Sequence, residues 1–319
     1  MKAAVICSQG IGDGLLMMVA SHRLFSRGYR VTTYQNALHQ LSKWFPDHQF
    51  KKRSSLEDLD KLNQLLSPYD LIILQNDNSP LSKSIIELYK QGKLHNLSVF
   101  YSSYEKGKHA PLTSWDRVFD RSRPMVDNIA EAVASVLQCT QISKNNGLVI
   151  PAGLEKGQYT KRVLIHPTST TLYGTWDSYK FIEVANLLAY KGYEVVFCVS
   201  PQERPEWVPL VEGSFQLPIF PTLSELAAYV YESSFLIGND SGPGHLASNL
   251  HIPTLIIASC RKRMALWRPG WFAGKVLTPS RFIPNFKGSR LREKKWKVFI
   301  SPKRVLRTFQ FMQMRKRYK

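Results

Sequence analysis

Two short stretches hold the residue types best suited to chemistry. Ser8-Gln9-Gly10-Ile11-Gly12-Asp13-Gly14 follows the first apolar run, and Gly238-Asn239-Asp240-Ser241-Gly242-Pro243-Gly244-His245 follows a later one. Glycines between a strand and a helix let backbone N–H groups approach a ligand, and the helix start beyond them favours negative charge. Asp13 offers a carboxylate that can take a proton from a hydroxyl; the competing reading is an Asp that caps a helix. Gly10, Gly12 and Gly14 fall short of a full G-x-G-x-x-G pattern, so a dinucleotide is weakly supported. In the second stretch Asp240, Ser241, Gly242 and the N–H groups opening a helix at Gly244 suit a diphosphate and neighbouring sugar hydroxyls, with His245 in the first turn. The plain alternative is a Gly/Pro turn capped by Asp240 beside a packed histidine. Thr168 and Ser169, in His166-Pro167-Thr168-Ser169-Thr170-Thr171, are either phosphate ligands at a strand end or members of a simple loop. Glu203, after a strand ending at Val199, is either a ribose ligand or a solvated surface carboxylate.

The elements that must position these residues are legible as apolar runs alternating with helical spacing. Residues 2–7 read as a buried strand and 15–25 as a helix; 30–34, 69–74 and 97–101 read as further strands with helix-like segments between them. After a helical stretch over 124–138, the polar segment 143–161 serves as a connection. The pattern restarts with strands at 162–166, 194–199, 235–238 and 254–258 and helices at 178–191, 223–232 and 244–249. This alternation predicts an α/β protein with two Rossmann-like β/α/β domains facing a central cleft, over 1–150 and 151–301, followed by a basic helix over 302–319.

A chain of 319 residues suits two such domains. Cys7, Cys139, Cys198 and Cys260 are scattered without paired spacing, which argues against a disulfide framework or structural zinc and fits a reducing cytoplasm. No signal-peptide pattern and no long apolar window is present, so a soluble, unexported protein is expected. The net charge of +19 is concentrated: 19 of the 43 Lys and Arg residues lie in 261–319, where Glu293 is the only acid. Such a field attracts polyanions. Lys294-Lys295-Trp296-Lys297-Val298-Phe299-Ile300 mixes cations with aromatic groups as a membrane-interface segment would. The same charge suits nucleic acid, although no recognised nucleic-acid module accompanies it. Residues 315–319 are expected to fray.

The two turns, their order and the second β/α set resemble glycosyltransferase family 9, the bacterial lipopolysaccharide heptosyltransferases of the GT-B fold. Gly12-Asp13 matches the family's N-terminal Gly-Asp turn, and Asp240 to His245 matches its Asp-(Ser/Thr)-Gly-x-x-His motif. The resemblance is clearest over 162–260. It implies an inverting, metal-independent transferase without a cofactor, in which Asp13 deprotonates an acceptor hydroxyl bound by the first domain beside Gly10, Gly12 and Gly14. A nucleotide-sugar donor, ADP-heptose-like, would sit on the second domain. Thr168, Ser169, Ser241, Gly242, Gly244 and the helix start at His245 would meet its diphosphate, with Asp240 on sugar hydroxyls. The acceptor implied is a lipopolysaccharide core or another lipid-linked saccharide at the inner face of the inner membrane, with 261–319 against the anionic surface. The final helix would return to the first domain through Val305, Phe309 and Met312. One departure stands out: where the family commonly carries a Lys two residues before a Trp, this chain has Gly174-Thr175-Trp176. Lys180 and the Arg261-Lys262-Arg263 run are the candidate replacements. Two other readings stand beside this one: a noncatalytic GT-B relative tethered to membrane or nucleic acid by its basic tail, and a sugar-nucleotide epimerase.

Overall fold

A computed structural model describes residues 1–169, 174–285 and 291–317. The chain divides into two compact units, Met1–Ala152 and Gly153–Lys319. In the first, strands β1 (Lys2–Ile6), β2 (Arg30–Tyr34), β3 (Gln49–Lys51), β4 (Leu71–Asn76), β5 (Leu97–Tyr101) and β6 (Arg117–Val118) form a sheet of order β3-β2-β1-β4-β5-β6. Every pairing in it is parallel. Helices α1 (Ile11–Phe25), α2 (Leu59–Leu66), α3 (Pro80–Lys90) and α4 (Met125–Val136) make the longer connections. The central strands are apolar without alternation because helices cover both faces: Ala3 to Ile6 and Leu71 to Leu74 are all buried. α3 starts where Ser79 accepts the Ser82 N–H and Pro80 follows it, which satisfies one orphan donor and presets the first turn.

The second unit contains β7 (Tyr159–His166), β8 (Glu194–Phe197), β9 (Ser233–Asn239), β10 (Thr254–Ile257) and β11 (Gly274–Leu277), in the order β11-β10-β9-β7-β8 and again parallel throughout. Helices α5 (Ser178–Tyr190), α6 (Arg204–Val211), α7 (Leu223–Glu232), α8 (Gly242–Asn249), α9 (Arg261–Trp267), α10 (Leu291–Lys294) and α11 (Pro302–Arg317) accompany it. A reciprocal capping box between Thr222 and Glu225 fixes the start of α7. Gly238 is required where β9 meets β7, since a Cβ there would lie 2.5 Å from the His166 carbonyl oxygen.

The winding direction of each sheet reverses once. The reversal falls between β1 and β4 in the first unit and between β7 and β9 in the second. Loops leaving the carboxyl ends of those strand pairs diverge to opposite faces and leave a crevice, the usual ligand position in open α/β sheets.

The basic segment departs from its expected roles. Trp296, which opens a short 3-10 helix over Trp296–Phe299, and Ile300, in extended backbone just after it, are both buried in the core of the second unit and are not available to an interface. The stripe expected to dock on the first domain packs inside the second unit: Val305 and Phe309 are fully buried, Met312 packs against them, and α11 lies on α5. The Phe309 ring meets Phe235 at 4.8 Å and Tyr193 at 5.0 Å, both edge-on. No helix among the described residues is long and apolar enough to cross a membrane. Of the segment expected to fray, Tyr318 and Lys319 lie outside the described residues. Phe309→Ala should lower the stability of the second unit by about 3–5 kcal/mol, the cost of emptying a core aromatic site, read from the denaturant midpoint of the intact chain.

Candidate active site

At the first reversal point the chain leaves β1 through Cys7 and Ser8 and enters α1 at Gly10, which is the N-cap and supplies no side-chain cap. Asp13 is therefore not the capping residue; it stands at the third helical position, where the exposed N–H groups of the first turn favour its charge. Gln75, the fifth residue of β4, donates its amide to Asp13 Oδ1 at 2.6 Å and accepts the Ser8 N–H at 3.0 Å. One side chain thus couples the turn to the carboxylate. A Cβ at Gly10 would come 2.7 Å from Asp13 Oδ2, so a side chain there would push the carboxylate out of this position. Gly12 and Gly14 are buried in α1, Gly14 against Gln35. The buried Gln35 braces the turn by donating to the Gln9 carbonyl at 2.9 Å and accepting the N–H groups of Ala37 and Leu38. Burial, together with the charge of Asp13, pushes the Cys7 thiol well above its ordinary range, so it is inert packing.

Beside this turn Arg53, 2% exposed, pairs with Asp77 at 2.9 Å and donates to Ser79 Oγ at 2.9 Å. Burial alone would raise the Asp77 carboxyl. Hydrogen bonds from Ser79 and Ser82, with Arg53 nearby, carry it below its usual value. The Arg53 Nε is buried with no hydrogen-bond partner.

At the second reversal point, buried Asn239 ends β9 and ties three segments together. Its Nδ2 donates to the Pro167 carbonyl at 2.6 Å, and its Oδ1 accepts the Trp176 N–H at 3.0 Å. Ser169 Oγ donates to the Asp240 carbonyl at 3.2 Å, which joins the Ser/Thr loop to the turn before α8. Ser241 is the N-cap of α8, its hydroxyl donating to the Asn239 carbonyl, and Gly242 opens the helix half-exposed. Gly244 is buried against Ile256. Thr170 and Thr171, the rest of the Ser/Thr loop, lie outside the described residues.

Asp240 is not a cap either. It pairs with Arg263 of α9 at 3.4 Å; burial raises its carboxyl pKa and Arg263 opposes the rise. Lys180 is committed elsewhere: it is buried, donates to the Lys297 carbonyl at 2.7 Å and pairs with Asp177 at 3.1 Å. Of the two candidate substitutes for the cation missing at Gly174, the Arg263 side chain is the one that meets the turn.

Thr168 is buried beside His166, its Oγ1 3.3 Å from His166 Nε2, while His166 Nδ1 lies 2.7 Å from the Cys198 carbonyl and must donate to it. Burial lowers the His166 pKa, in keeping with that neutral tautomer. Glu203 lies in the same network as a tethered carboxylate: Oε2 accepts the Ser200 N–H at 2.8 Å. Burial would raise it, but hydrogen bonds from Ser200 and Thr168 hold it below its usual value.

His245 is 5% exposed, and its Nδ1 has no hydrogen-bond partner. Burial lowers its pKa to about 4. The positioning roles of Gln75 and Asn239 escaped the sequence reading, though Gln75-Asn76-Asp77 ends an apolar run as Ser8 follows one.

Known proteins of this architecture are recognisable on these grounds. The structure superposes on E. coli ADP-heptose lipopolysaccharide heptosyltransferase II with a TM-score of 0.72 at 17% identity, covering 99% of this chain and 100% of that one. It matches the E. coli heptosyltransferase WaaC with ADP at a TM-score of 0.70 and 14% identity, over 97% and 99% of the two chains. These likenesses establish the α/β GT-B fold. The family model described as glycosyltransferase family 9 (heptosyltransferase) matches residues 64–258, more than half of the chain. The chain belongs to that family. Lipopolysaccharide heptosyltransferase 3 of Escherichia coli is 30% identical over 114 residues, 34% of this chain, and the match spans only about a third of that relative's length (33%).

The buried histidine sets a pH dependence with a definite sign. The unfolded chain takes up the His245 proton near 6.5 and the folded chain only near 4, so this contribution is harmless above about 6.5 and costs stability as pH falls towards 4. His245→Gln should flatten the stability–pH slope between these values by about 1 kcal/mol per unit, measured by urea unfolding at several pH values.

Proposed function

We propose that this protein is an inverting glycosyltransferase that moves a heptose-like sugar from a nucleoside diphosphate donor to a lipopolysaccharide core or other lipid-linked saccharide. The observation that carries this reading is the pairing of chemistries at the two reversal points: a carboxylate oriented by an amide at one, and a cation with N–H and hydroxyl donors at the other. Asp13 removes the proton of the acceptor hydroxyl. The acceptor oxygen attacks the anomeric carbon from the face opposite the leaving group, the C–O bond to the diphosphate breaks, and the diphosphate departs with that electron pair. Gln75 fixes the carboxylate in the orientation the transfer needs.

Charge growing on the diphosphate is met by the Ser241 and Gly242 end of α8, by Ser169, and by the forked donors of Arg263, while Thr168 gives its hydroxyl hydrogen to Glu203. Asp240 and Glu203 bind sugar hydroxyls. This donor set supports transfer without a metal, and the ADP in the WaaC relative supports adenine as the donor base. Asp13→Asn should abolish transfer, lowering kcat by at least about a hundredfold while leaving the affinity for the nucleotide sugar within about twofold, since the change touches only the proton acceptor. Transfer assays and calorimetry on ADP-, UDP- and GDP-sugars measure both. Full activity in the variant removes Asp13 as the base, and failure of every nucleotide to bind favours a noncatalytic relative.

The protein works at the cytoplasmic face of the inner membrane, held by the cations of 261–319. Exposed Phe282 beside Arg281 and exposed Val298 among lysines support a shallow contact. Binding to vesicles with anionic lipid should fall steeply as salt rises and be absent from zwitterionic vesicles. Equal binding to both would remove the membrane face.

A further inference from the structure

At the amino ends of the second unit's strands, away from the donor turn, lies a cavity of about 500 Å³. Its position follows from the topology: Ser233 begins β9, Ile252 and Pro253 precede β10, and Gly274 begins β11. The seven residues of β9 separate it from Asn239, roughly 20 Å at the rise of an extended strand. It is therefore a separate place on the same unit. Its size falls within the range of small-molecule sites.

The wall is apolar and the rim is basic. Ile252, Phe272 and Met312 supply hydrocarbon, while Lys156, Lys275, His251 and Ser233 supply the polar groups, and no carboxylate lines it among the described residues. Lys156 Nζ stands 5.2 Å from the Phe272 ring centroid, and Lys275 Nζ stands 3.8 Å from that of Phe311. Both ammonium groups are thereby held at the edge of the cavity by aromatic faces. The His251 ring lies 5.3 Å from Phe272. Burial and the charge of Lys156 both lower the His251 pKa, which places that charge close to the pocket and leaves the imidazole neutral.

We propose that this cavity binds an anionic amphiphile, a single alkyl chain seated between Ile252, Phe272 and Met312 with a phosphate or carboxylate held by Lys156 and Lys275. An apolar interior alone would take any hydrocarbon. The two cations select the anionic end, and neutral His251 adds a hydrogen-bonding edge without adding charge. The ligand arrives either free from water or as a lipid projecting from a bilayer; the chemistry at the pocket is the same.

Calorimetry on the full chain with dodecyl phosphate below its micelle concentration tests the proposal, with dodecanol and inorganic phosphate as half-ligands. One equivalent should bind, more tightly than either half-ligand, and saturating ADP should leave it bound. Lys156→Glu with Lys275→Glu should weaken binding by about tenfold or more, as expected for reversing two partly screened charges. Lys303→Glu with Arg307→Glu, an equal charge change on exposed positions of α11, should not. Met312→Trp, which fills the cavity without altering charge, should weaken the amphiphile and leave ADP binding unchanged. If the glutamate pair does not fold, Lys156→Gln with Lys275→Gln tests the same point. Inorganic phosphate binding as tightly as the amphiphile, equal losses in the two charge-reversed proteins, or displacement by ADP would each overturn the assignment. Vesicles containing phosphatidic acid distinguish the sources: loss of vesicle binding in Met312→Trp identifies a bilayer lipid, and unchanged vesicle binding with loss of dodecyl phosphate identifies a free amphiphile.

Discussion

A parallel sheet that reverses its winding sends the loops of two adjacent strands to opposite faces, and this constraint governs both candidate sites. Right-handed crossovers leave the chain little freedom in the matter. Once β1 lies beside β4, and β7 beside β9, the segments after their carboxyl ends flank an open crevice. Polar groups concentrate there because the backbone can be exposed to a ligand without breaking a ladder. Buried amides then do the positioning. Gln75 spans the β1 and β4 ends, and Asn239 spans the ends of β7 and β9 together with Trp176. An amide is suited to this role, since it offers a donor and an acceptor on one rigid plane and carries no charge to desolvate.

The central strands were legible because burial on both faces leaves an uninterrupted apolar run. Of the four edge strands β8 was also read, but β3, β6 and β11 were not. They are two to four residues long, carry Gln, Lys, Arg or Gly, and have an exposed side. Asp13 and the Asp240-Ser241-Gly242 turn were legible because a carboxylate among glycines at a strand-to-helix junction is a local signal. Gln75 and Asn239 act on groups 62 and 72 residues away in the chain, so no local window reveals them. The capping alternative for Asp13 and Asp240 failed for a geometric reason: the helices begin at a different residue in each case.

The basic segment divides between core packing and exposed charge. Lysines around Trp296 and Ile300 suggested an interface, yet both of these residues are buried in the core while Lys294 and Lys295 stay exposed. The same division runs along α11, where Val305 and Phe309 face inward and Lys303 is exposed. A strongly basic composition therefore coexists with ordinary core packing. The arginine that meets Asp240 comes from the same cationic region, at its beginning, so this region serves both the packing of the unit and its candidate site.

The place of α11 bears on how the polypeptide matures during translation. All of the first sheet is synthesised before any of the second begins, and its six strands need nothing from later residues to pair with one another. The second sheet differs, because Phe235 of β9 and Tyr193 wait for Phe309, more than seventy residues downstream of Phe235. A nascent chain emerging from a ribosome thus leaves this hydrophobic face uncovered until α11 has cleared the exit tunnel, and chaperone protection is needed most during that interval.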